Sequence, residues 1–159
     1  MAGMDADAYA LLARIIREAR VAALGTLRQG APLVSMVTFL PEADFGGFCL
    51  RVSRLAWHTQ DMLADPRISL SIVEPDDGRA DPQTLARVAL RGEAIQLPRE
   101  GEAFERLKTS WLARFPESAV TFGLADFGFW RLAPRDARFV AGLGRTYNLS
   151  AESLRRAAI

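Results

Sequence analysis

A series of short strand-like runs separated by turn signals is the feature that most constrains this fold. The first two runs, VAALGTL at 21–27 and PLVSMVTFL at 32–40, are joined by RQGA, which favours a hairpin turn. Five further runs lie at 47–53, 68–74, 85–97, 127–134 and 137–143. Strands in series with turns between them favour an antiparallel barrel over a doubly wound sheet. We therefore predict a mainly β fold, a six- to seven-stranded antiparallel barrel with peripheral helices.

Helical patterns lie between these runs and at both ends of the chain. The predicted helices cover about 5–20, 57–63, 99–114 and about 150–157. Asp5 or Asp7 is placed to cap the first helix and Ser150 the last. Pro66 ends the second helix, because the residue before a proline disfavours helical geometry. Gly92, in the middle of a long strand, indicates a bulge or sharp bend.

Composition limits the class of protein. A chain of 159 residues, half of them hydrophobic, is predicted to form one domain over 1–159 with a real core. The formal net charge is +1, so no electrostatic capture of nucleic acid is expected. Cys49 is the only cysteine, which excludes an intrachain disulfide and fits a reducing compartment. Neither a secretion signal nor an apolar run of ~18–20 residues is present, so a cytoplasmic location without membrane contact is expected.

Several common chemistries are excluded by the residues available. One histidine and one cysteine cannot supply a typical zinc site, so no metal site is predicted. The sequence holds no G-x-S-x-G elbow and no Walker-type phosphate loop. The short GLGR stretch at 142–145 is predicted to be a plain turn rather than a phosphate cradle.

The only histidine, His58, lies in the stretch LRVSRLAWHTQDMLADPRISLSIVE at 50–74. If a strand ends near 53 and a helix begins near 57, this turn offers free backbone N–H groups that attract an anion such as phosphate. Side-chain donors at the turn are Ser53, Arg54, His58 and Thr59. The residues alone leave two readings open for His58: an anion-binding group, or a partly exposed helix residue.

Ser35 is the second candidate binding residue. It alternates with Val34 and Met36 along a strand, so its side chain points to the same face as Leu33 and Val37. It either forms a hydrogen bond inside the barrel or makes a polar contact with a planar ligand lying across the strand.

The order of these elements resembles the pyridoxamine-5'-phosphate-oxidase-like, FMN-binding split-barrel superfamily, and most of all its haem-utilisation branch. The resemblance covers about 20–149. Its landmarks are GTLRQGAPLVSMV, LRVSRLAWHT, DPRISLSI, ARVALRGEA and ARFVAGLGRTY. It implies a split barrel that binds FMN at a homodimer interface, with a small-molecule redox substrate. The aromatic residues Trp111, Phe122, Phe127 and Phe129, which one small barrel would leave exposed, favour the same dimer.

The resemblance also implies where the flavin would lie. Ser35, Met36 and Val37 fall where the family's second strand meets the flavin, and Arg51 and Val52 match the end of its third strand. Ala56, Trp57 and His58 match a Ser-Arg-Lys triplet that holds the flavin phosphate. Arg87 falls where the family has a glutamine that contacts the flavin. Trp130 and Arg138 resemble a Trp and an Arg that close the site in the oxidases of the family. With Ser53 and Thr59 from the turn, these residues form the predicted cofactor site.

Two departures from the family pattern weaken the flavin prediction. Trp57 and His58 replace two basic phosphate anchors, and losing two charge-assisted bonds of roughly 1.5–3 kcal/mol each weakens binding by ~10²–10⁴-fold. Arg51, Arg54 or Arg87 could compensate. The segment DARFV supplies Arg138 without the histidine that pyridoxamine-phosphate oxidation requires, so that substrate is not transferred.

The sequence therefore predicts an FMN-binding flavoprotein and oxidoreductase of unknown substrate. The alternative is a haem-binding or haem-utilisation protein on the same barrel, because the haem branch shares the pattern S-x-L-A-x-H that stands here as SRLAWH. In that reading His58 faces a propionate or, less favoured, ligates the iron, since the branch uses a histidine on a C-terminal extension. A third reading is a cofactor-free binding module. The sequence does not separate FMN from a deazaflavin.

Overall fold

The computed structural model describes residues 3–159 and contains one seven-stranded antiparallel sheet. The strands are β1 Val21–Arg28, β2 Ala31–Pro41, β3 Phe48–Ser53, β4 Arg67–Val73, β5 Arg87–Gln96, β6 Phe127–Gly142 and β7 Arg145–Ser150. Their order is β3-β2-β1-β4-β5-β6-β7, and β3 also pairs with β6. Six strands therefore close into a ring with β7 added outside it, which confirms the predicted split barrel.

Four α-helices surround the barrel: α1 Ala6–Glu18, α2 Trp57–Ala64, α3 Glu102–Arg114 and α4 Ala151–Arg156. The predicted caps are confirmed at both ends of the chain. Asp5 Oδ1 accepts a hydrogen bond from the Ala8 backbone at 2.8 Å, and Ser150 Oγ accepts one from the Ser153 backbone at 3.1 Å. These bonds satisfy N–H groups that a helix start leaves free. Within residues 3–159, no helix is both long and apolar enough to cross a bilayer.

The last strands differ from the prediction. The runs 127–134 and 137–143 were expected to form a strand pair, but they are one continuous strand, β6. Its register against β5 shifts between Arg91 and Gly92, which places Arg135 as an extra residue and bends the strand. Gly92 is needed there, because a Cβ atom would lie 2.4 Å from the Ala133 carbonyl oxygen. The bend predicted at Gly92 is thus confirmed, and it explains why Pro134 does not end the strand.

The final hairpin joins β6 to β7 through GLGR. Gly142 and Gly144 have φ values of 151° and 74°, a region that favours glycine. The turn predicted at 142–145 is confirmed. The true partner of the second half of β6 is β7, which the sequence analysis did not identify as a strand.

The main core fills the barrel. Large apolar side chains from alternate strand positions meet inside it, and α1 closes one end with Leu12 and Ile16, both fully buried. At the opposite end of β1, helix α2 packs against the strand. The interior side chains from the strands include Leu24, Phe39, Leu50, Leu70, Leu90 and Phe139.

A second, smaller core lies outside the barrel. Helix α3 and the 3-10 segment Pro116–Gly123 cover the outer faces of β3 and β6, where Trp111 and Phe129 are each only 2% exposed. The two rings meet edge to face, with centroids 5.5 Å apart. The expectation of exposed aromatic residues is wrong for Trp111 and Phe129, which the chain buries itself, whereas Phe122 and Phe127 remain partly exposed. The aromatic argument for a dimer is therefore reduced to these two rings.

Candidate functional site

The structure divides the thirteen predicted site residues among four places. Inside the barrel, Ser35 and Val37 pair with the buried Leu24 and Ala22 of β1 and share their face. Val52 and Trp130 also belong to the interior, each 4% exposed. On the outer side of β3 lie Arg51 and Ser53. At α2 lie Ala56, Trp57, His58 and Thr59, and on the outer face of the other strands lie Met36, Arg87 and Arg138. The predicted residues are thus not one cluster.

Arg51 lies in the outer layer. Its side chain is buried, and its guanidinium donates hydrogen bonds to both the hydroxyl and the backbone carbonyl of Thr121, the latter at 3.0 Å. The Phe122 ring centroid is 3.6 Å from the guanidinium carbon. Burial, and then the positive charge of Arg99, lower the pKa of Arg51 from its usual value. Arg51 is therefore committed to the 116–123 segment.

The turn before α2 is held by Ser53 and Asp126. Ser53 Oγ donates to Asp126 Oδ2 at 2.9 Å and accepts a bond from the Leu55 backbone at 3.1 Å. The Arg54 N–H donates to the Asp126 carbonyl at 2.7 Å. Ala56 then begins α2 without a side-chain cap, since alanine has no acceptor. The helix start predicted at Trp57 is confirmed, and first-turn N–H groups face no capping side chain.

The anchor of α2 is a buried carboxylate. Asp61 is 3% exposed and accepts hydrogen bonds from Thr26 Oγ1 at 2.7 Å and from Arg28 at 2.8 Å. Arg28 also lies over the exposed indole of Trp57, with its guanidinium carbon 4.1 Å from the ring centroid. Sequence reasoning missed this network, because its members are far apart in the chain.

His58 lies within this anchored first turn and is half-buried. Burial lowers the pKa of His58 below its usual 6.5, against an opposing effect of Asp61. The imidazole is therefore neutral at neutral pH, the form that accepts a hydrogen bond or binds a metal ion. Its neighbour Thr59 is 3% exposed, and its hydroxyl has no hydrogen-bond partner in the described part of the chain.

The outer face of β2, β1, β4 and β5 forms an open platform. One row across the strands reads Met36, Ala23, Ser71, Ala89 and Arg138. The neighbouring row reads Val34, Gly25, Ser69, Arg91 and Asp136. Val34 and Met36 are each 70% exposed, and small side chains occupy the centre. At Gly25 a Cβ would lie 2.5 Å from Ser69 Oγ, so this part of the face is flat.

Arginines border this platform. A cavity of about 390 Å³ lies at its β2 and β4 edge and is lined by Val34, Ser69 and the arginines Arg67, Arg91 and Arg135. Arg91 pairs with Asp136 at 2.8 Å. Arg138 donates to Asn148 Oδ1 at 2.5 Å. The platform thus offers a flat, weakly polar surface with cations at one margin; the outward alternation of Val34 and Met36 was the only sequence signal for it.

Arg87 lies away from α2. It pairs with Val73 of β4 and Val140 of β6, near the end of the platform that is farther from α2. Its guanidinium donates to the backbone carbonyls of Gln83 and Leu85, both at 2.9 Å. Within residues 3–159, no group of three or more His, Cys, Asp or Glu side chains is arranged to hold a bare metal ion.

Comparison with known proteins gives the family. The sequence profile of the pyridoxamine 5'-phosphate oxidase family matches residues 10–141, most of the chain. The chain belongs to that family. A chloroplastic haem oxygenase of Arabidopsis thaliana, HOZ, is 37% identical over 126 residues. Heme oxygenase HutZ of Vibrio cholerae is 30% identical over 131 residues.

The coverage of these relatives is unequal. The match to HOZ covers 78% of this chain but only 36% of that protein, whereas the match to HutZ covers 79% and 71%. Among solved structures, a heme binding protein from Mycobacterium smegmatis superimposes with a TM-score of 0.83 at 28% identity. That superposition covers 97% of this chain and 62% of the mycobacterial one. The relatives place this member of the family near its haem-utilisation branch.

Proposed function

We propose that this chain is a haem-binding protein of haem utilisation, and that the porphyrin lies on the outer sheet platform. The observation that carries the proposal is the platform itself, together with two relatives at 30% identity or above that are both haem oxygenases. A porphyrin is a large flat apolar ring, and it needs a surface without projecting side chains. The row through Ala23, Ser71 and Ala89 supplies such a surface, bordered by Met36.

The margin of the platform suits the two propionates of haem. Arg67 and Arg135 have side chains 70% and 73% exposed, and each lies beside a surface carboxylate that a propionate would replace, Asp65 at 2.6 Å and Asp136 at 3.8 Å. Guanidinium groups bind carboxylates through two parallel hydrogen bonds, which gives both affinity and orientation. In this proposal these arginines hold the propionates while the ring contacts Val34 and Met36.

The missing phosphate anchors favour haem over FMN. Of the three arginines that could replace them, Arg51 lies under α3 on Thr121, and Arg87 lies away from α2 on the backbone carbonyls of Gln83 and Leu85. Only Arg54 stands in the turn before α2. Trp57, which stands at one anchor position, is engaged by Arg28. The flavin phosphate would therefore depend on uncapped N–H groups, His58 and the single arginine Arg54, without the basic pair that the family uses.

His58 enters the proposal by its chemistry. It is the only imidazole in the chain, and burial keeps it neutral at neutral pH. Neutral imidazole is a common ligand of haem iron. Bound haem would supply the iron centre; the protein's own part is to hold the ring and pair the propionates. His58 lies at α2, apart from the platform residues, so the spectrum of a His58 variant tests it as a ligand separately.

Titration of the purified protein with haemin tests the proposal. We expect a Soret band that survives desalting, and we expect Val34→Asp to weaken binding by about tenfold or more, because it buries a carboxylate against the ring. Leu143→Asp is the matched control, since Leu143 is 79% exposed on the β6–β7 turn. Equal haemin affinity of the two variants would contradict the location, and loss of the Soret band on desalting would contradict the function.

A further inference from the structure

A cavity outside the platform combines aromatic walls with positive charge. It lies between the outer face of β3 and β6 and the residues that follow α3, and its volume is about 200 Å³. Phe104, Phe122, Phe127 and Phe129 line it, together with Arg51 and Arg99. Pockets for drug-sized ligands measure about 300–1,000 Å³, so this one fits only a small group.

The cations around this cavity have no acidic partner. Within residues 3–159, neither Arg51 nor Arg99 lies within 4.0 Å of a carboxylate oxygen. Lys108 is a third cation, with its ammonium nitrogen 5.1 Å from the Phe122 ring centroid. Arg51 is buried, Arg99 is exposed, and their like charges repel each other, so a bound anion would relieve an existing repulsion. Asp126, which stands between the lining residues Ala125 and Phe127, instead accepts a bond from Ser53.

Both guanidinium groups retain donors for such an anion. Arg51 uses Nη1 and Nη2 on Thr121, which leaves its Nε–H and two of the remaining N–H groups. Arg99 uses Nη2 on the carbonyls of Ala125 and Phe127, which leaves Nε and Nη1. Arg99 Nη1 lies 3.1 Å from the place of a Cβ on Gly128, so the glycine leaves room for this guanidinium.

We propose that this cavity binds one carboxylate carried on a short apolar arm. The carboxylate would pair with Arg99 and Arg51, since a planar guanidinium matches a carboxylate with two parallel bonds. The apolar arm would lie among the phenylalanine rings. Two sources share this chemistry, a free arylalkanoic acid and a propionate of haem. The second depends on the haem function proposed above and would place the porphyrin beside β3 and β6 instead of on the platform.

Calorimetric titration of the full chain with 3-phenylpropionate tests the proposal. We expect saturable binding, with Arg99→Gln weakening it by about tenfold or more, because one charge-assisted bidentate contact is lost. Lys108→Gln should weaken it by about threefold through a more distant charge. Arg106→Gln is the control on the same helix, since its side chain is 73% exposed and pairs with Glu102. Lys108→Gln keeps the test valid if Arg99→Gln does not fold.

Three results would overturn the proposal. The first is no saturable binding of 3-phenylpropionate at about 10 mM, where even a weak site with a Kd of about 1 mM is mostly filled. The second is equal binding of the neutral analogue 3-phenylpropanol, which shows an apolar pocket only. The third is unchanged affinity in both Arg99→Gln and Lys108→Gln.

Haemin and its dimethyl ester distinguish the two sources. If the arm is a haem propionate, Arg99→Gln lowers the affinity for haemin but not for the ester. If the arm belongs to a free acid, Arg99→Gln lowers the affinity for 3-phenylpropionate and leaves the affinities for haemin and its ester unchanged. A protein that binds the acid and no haem at all would leave this proposal standing and refute the haem function.

Discussion

Arg28 joins the end of β1 to the start of α2 through the indole of Trp57. The guanidinium carbon lies 4.1 Å from the ring centroid, and the same group donates to Asp61 Oδ1 at 2.8 Å. The cation–π contact and the charge-assisted bond both act on the first two turns of α2. The position of His58, between Trp57 and Asp61, is thus set by one arginine of the barrel.

Removing the buried carboxylate should destabilise the protein strongly. Asp61→Ala leaves Thr26 Oγ1 and Arg28 without their acceptor in a buried site, which costs about 2–4 kcal/mol of the free energy of unfolding. Urea denaturation followed by circular dichroism measures the loss. Asp65→Ala is the control, because that carboxylate pairs with Arg67 in solvent and should change stability little. A similar loss in both variants would contradict the role of Asp61.

The bend in the sheet makes a second prediction. Gly92→Ala should lower the free energy of unfolding by about 1–3 kcal/mol, because the new methyl group meets the Ala133 carbonyl oxygen at 2.4 Å. Gly123→Ala is the matched change, since no atom lies within 4 Å of its Cβ position. Thermal unfolding of the two variants decides the point, and a stable Gly92→Ala protein would show that the β6 bulge does not need glycine.

The single thiol should be inert in the folded protein. Burial, and then Glu42, raise the pKa of Cys49 to about 11, so almost no thiolate is present at neutral pH. We expect Ellman's reagent to detect one thiol per chain in denaturant and almost none in the native state. Fast labelling of the native protein would contradict the burial of Cys49 behind Arg131 and Glu42.

His58 should make stability depend on pH. Its pKa is lower in the folded than in the unfolded chain, so the unfolded chain binds more protons near pH 6. The contribution of the neutral imidazole is therefore present above the unfolded value of 6.5 and is lost as the pH falls through the folded pKa. His58→Gln should lose less stability than the parent protein between about pH 7.5 and about pH 5. Parallel pH profiles would contradict the burial of this imidazole.

Strand periodicity and turn residues were sufficient to predict the first five strands, the helix caps and the turn at GLGR. They failed at β6, because Pro134 predicts the end of a strand. In the structure a bulge opposite Gly92 lets the chain continue through Pro134 as one bent strand. They also missed β7, since RTYNLS carries little apolar alternation and is held mainly by pairing with β6.

The candidate site was harder to predict than the fold. Alternation placed Ser35 with Leu33 and Val37, and the structure shows that this shared face is the barrel interior. Nothing in the local sequence shows that Arg51 is held by Thr121, seventy positions along the chain. The platform also depends on contacts between residues far apart in the chain, because Ala23, Ser71 and Ala89 become neighbours only through the register of the strands.

The spectral effect of His58 is a separate prediction. In haemin-loaded protein, His58→Ala should shift the Soret band, because the only imidazole able to ligate the iron is removed. Absorbance spectra of parent and variant at equal haemin occupancy measure the shift. An unmoved band would exclude His58 as an iron ligand while leaving haem binding by the platform in place.

The most direct measurement is an absorbance spectrum of the purified protein after addition of FMN and haemin together, followed by desalting. The account predicts a retained Soret band near ~400 nm and no retained flavin bands near ~370 and ~450 nm, because the platform holds the porphyrin and the phosphate anchors are missing. Retained flavin bands without a Soret band would contradict it and identify the protein as a flavoprotein of its family.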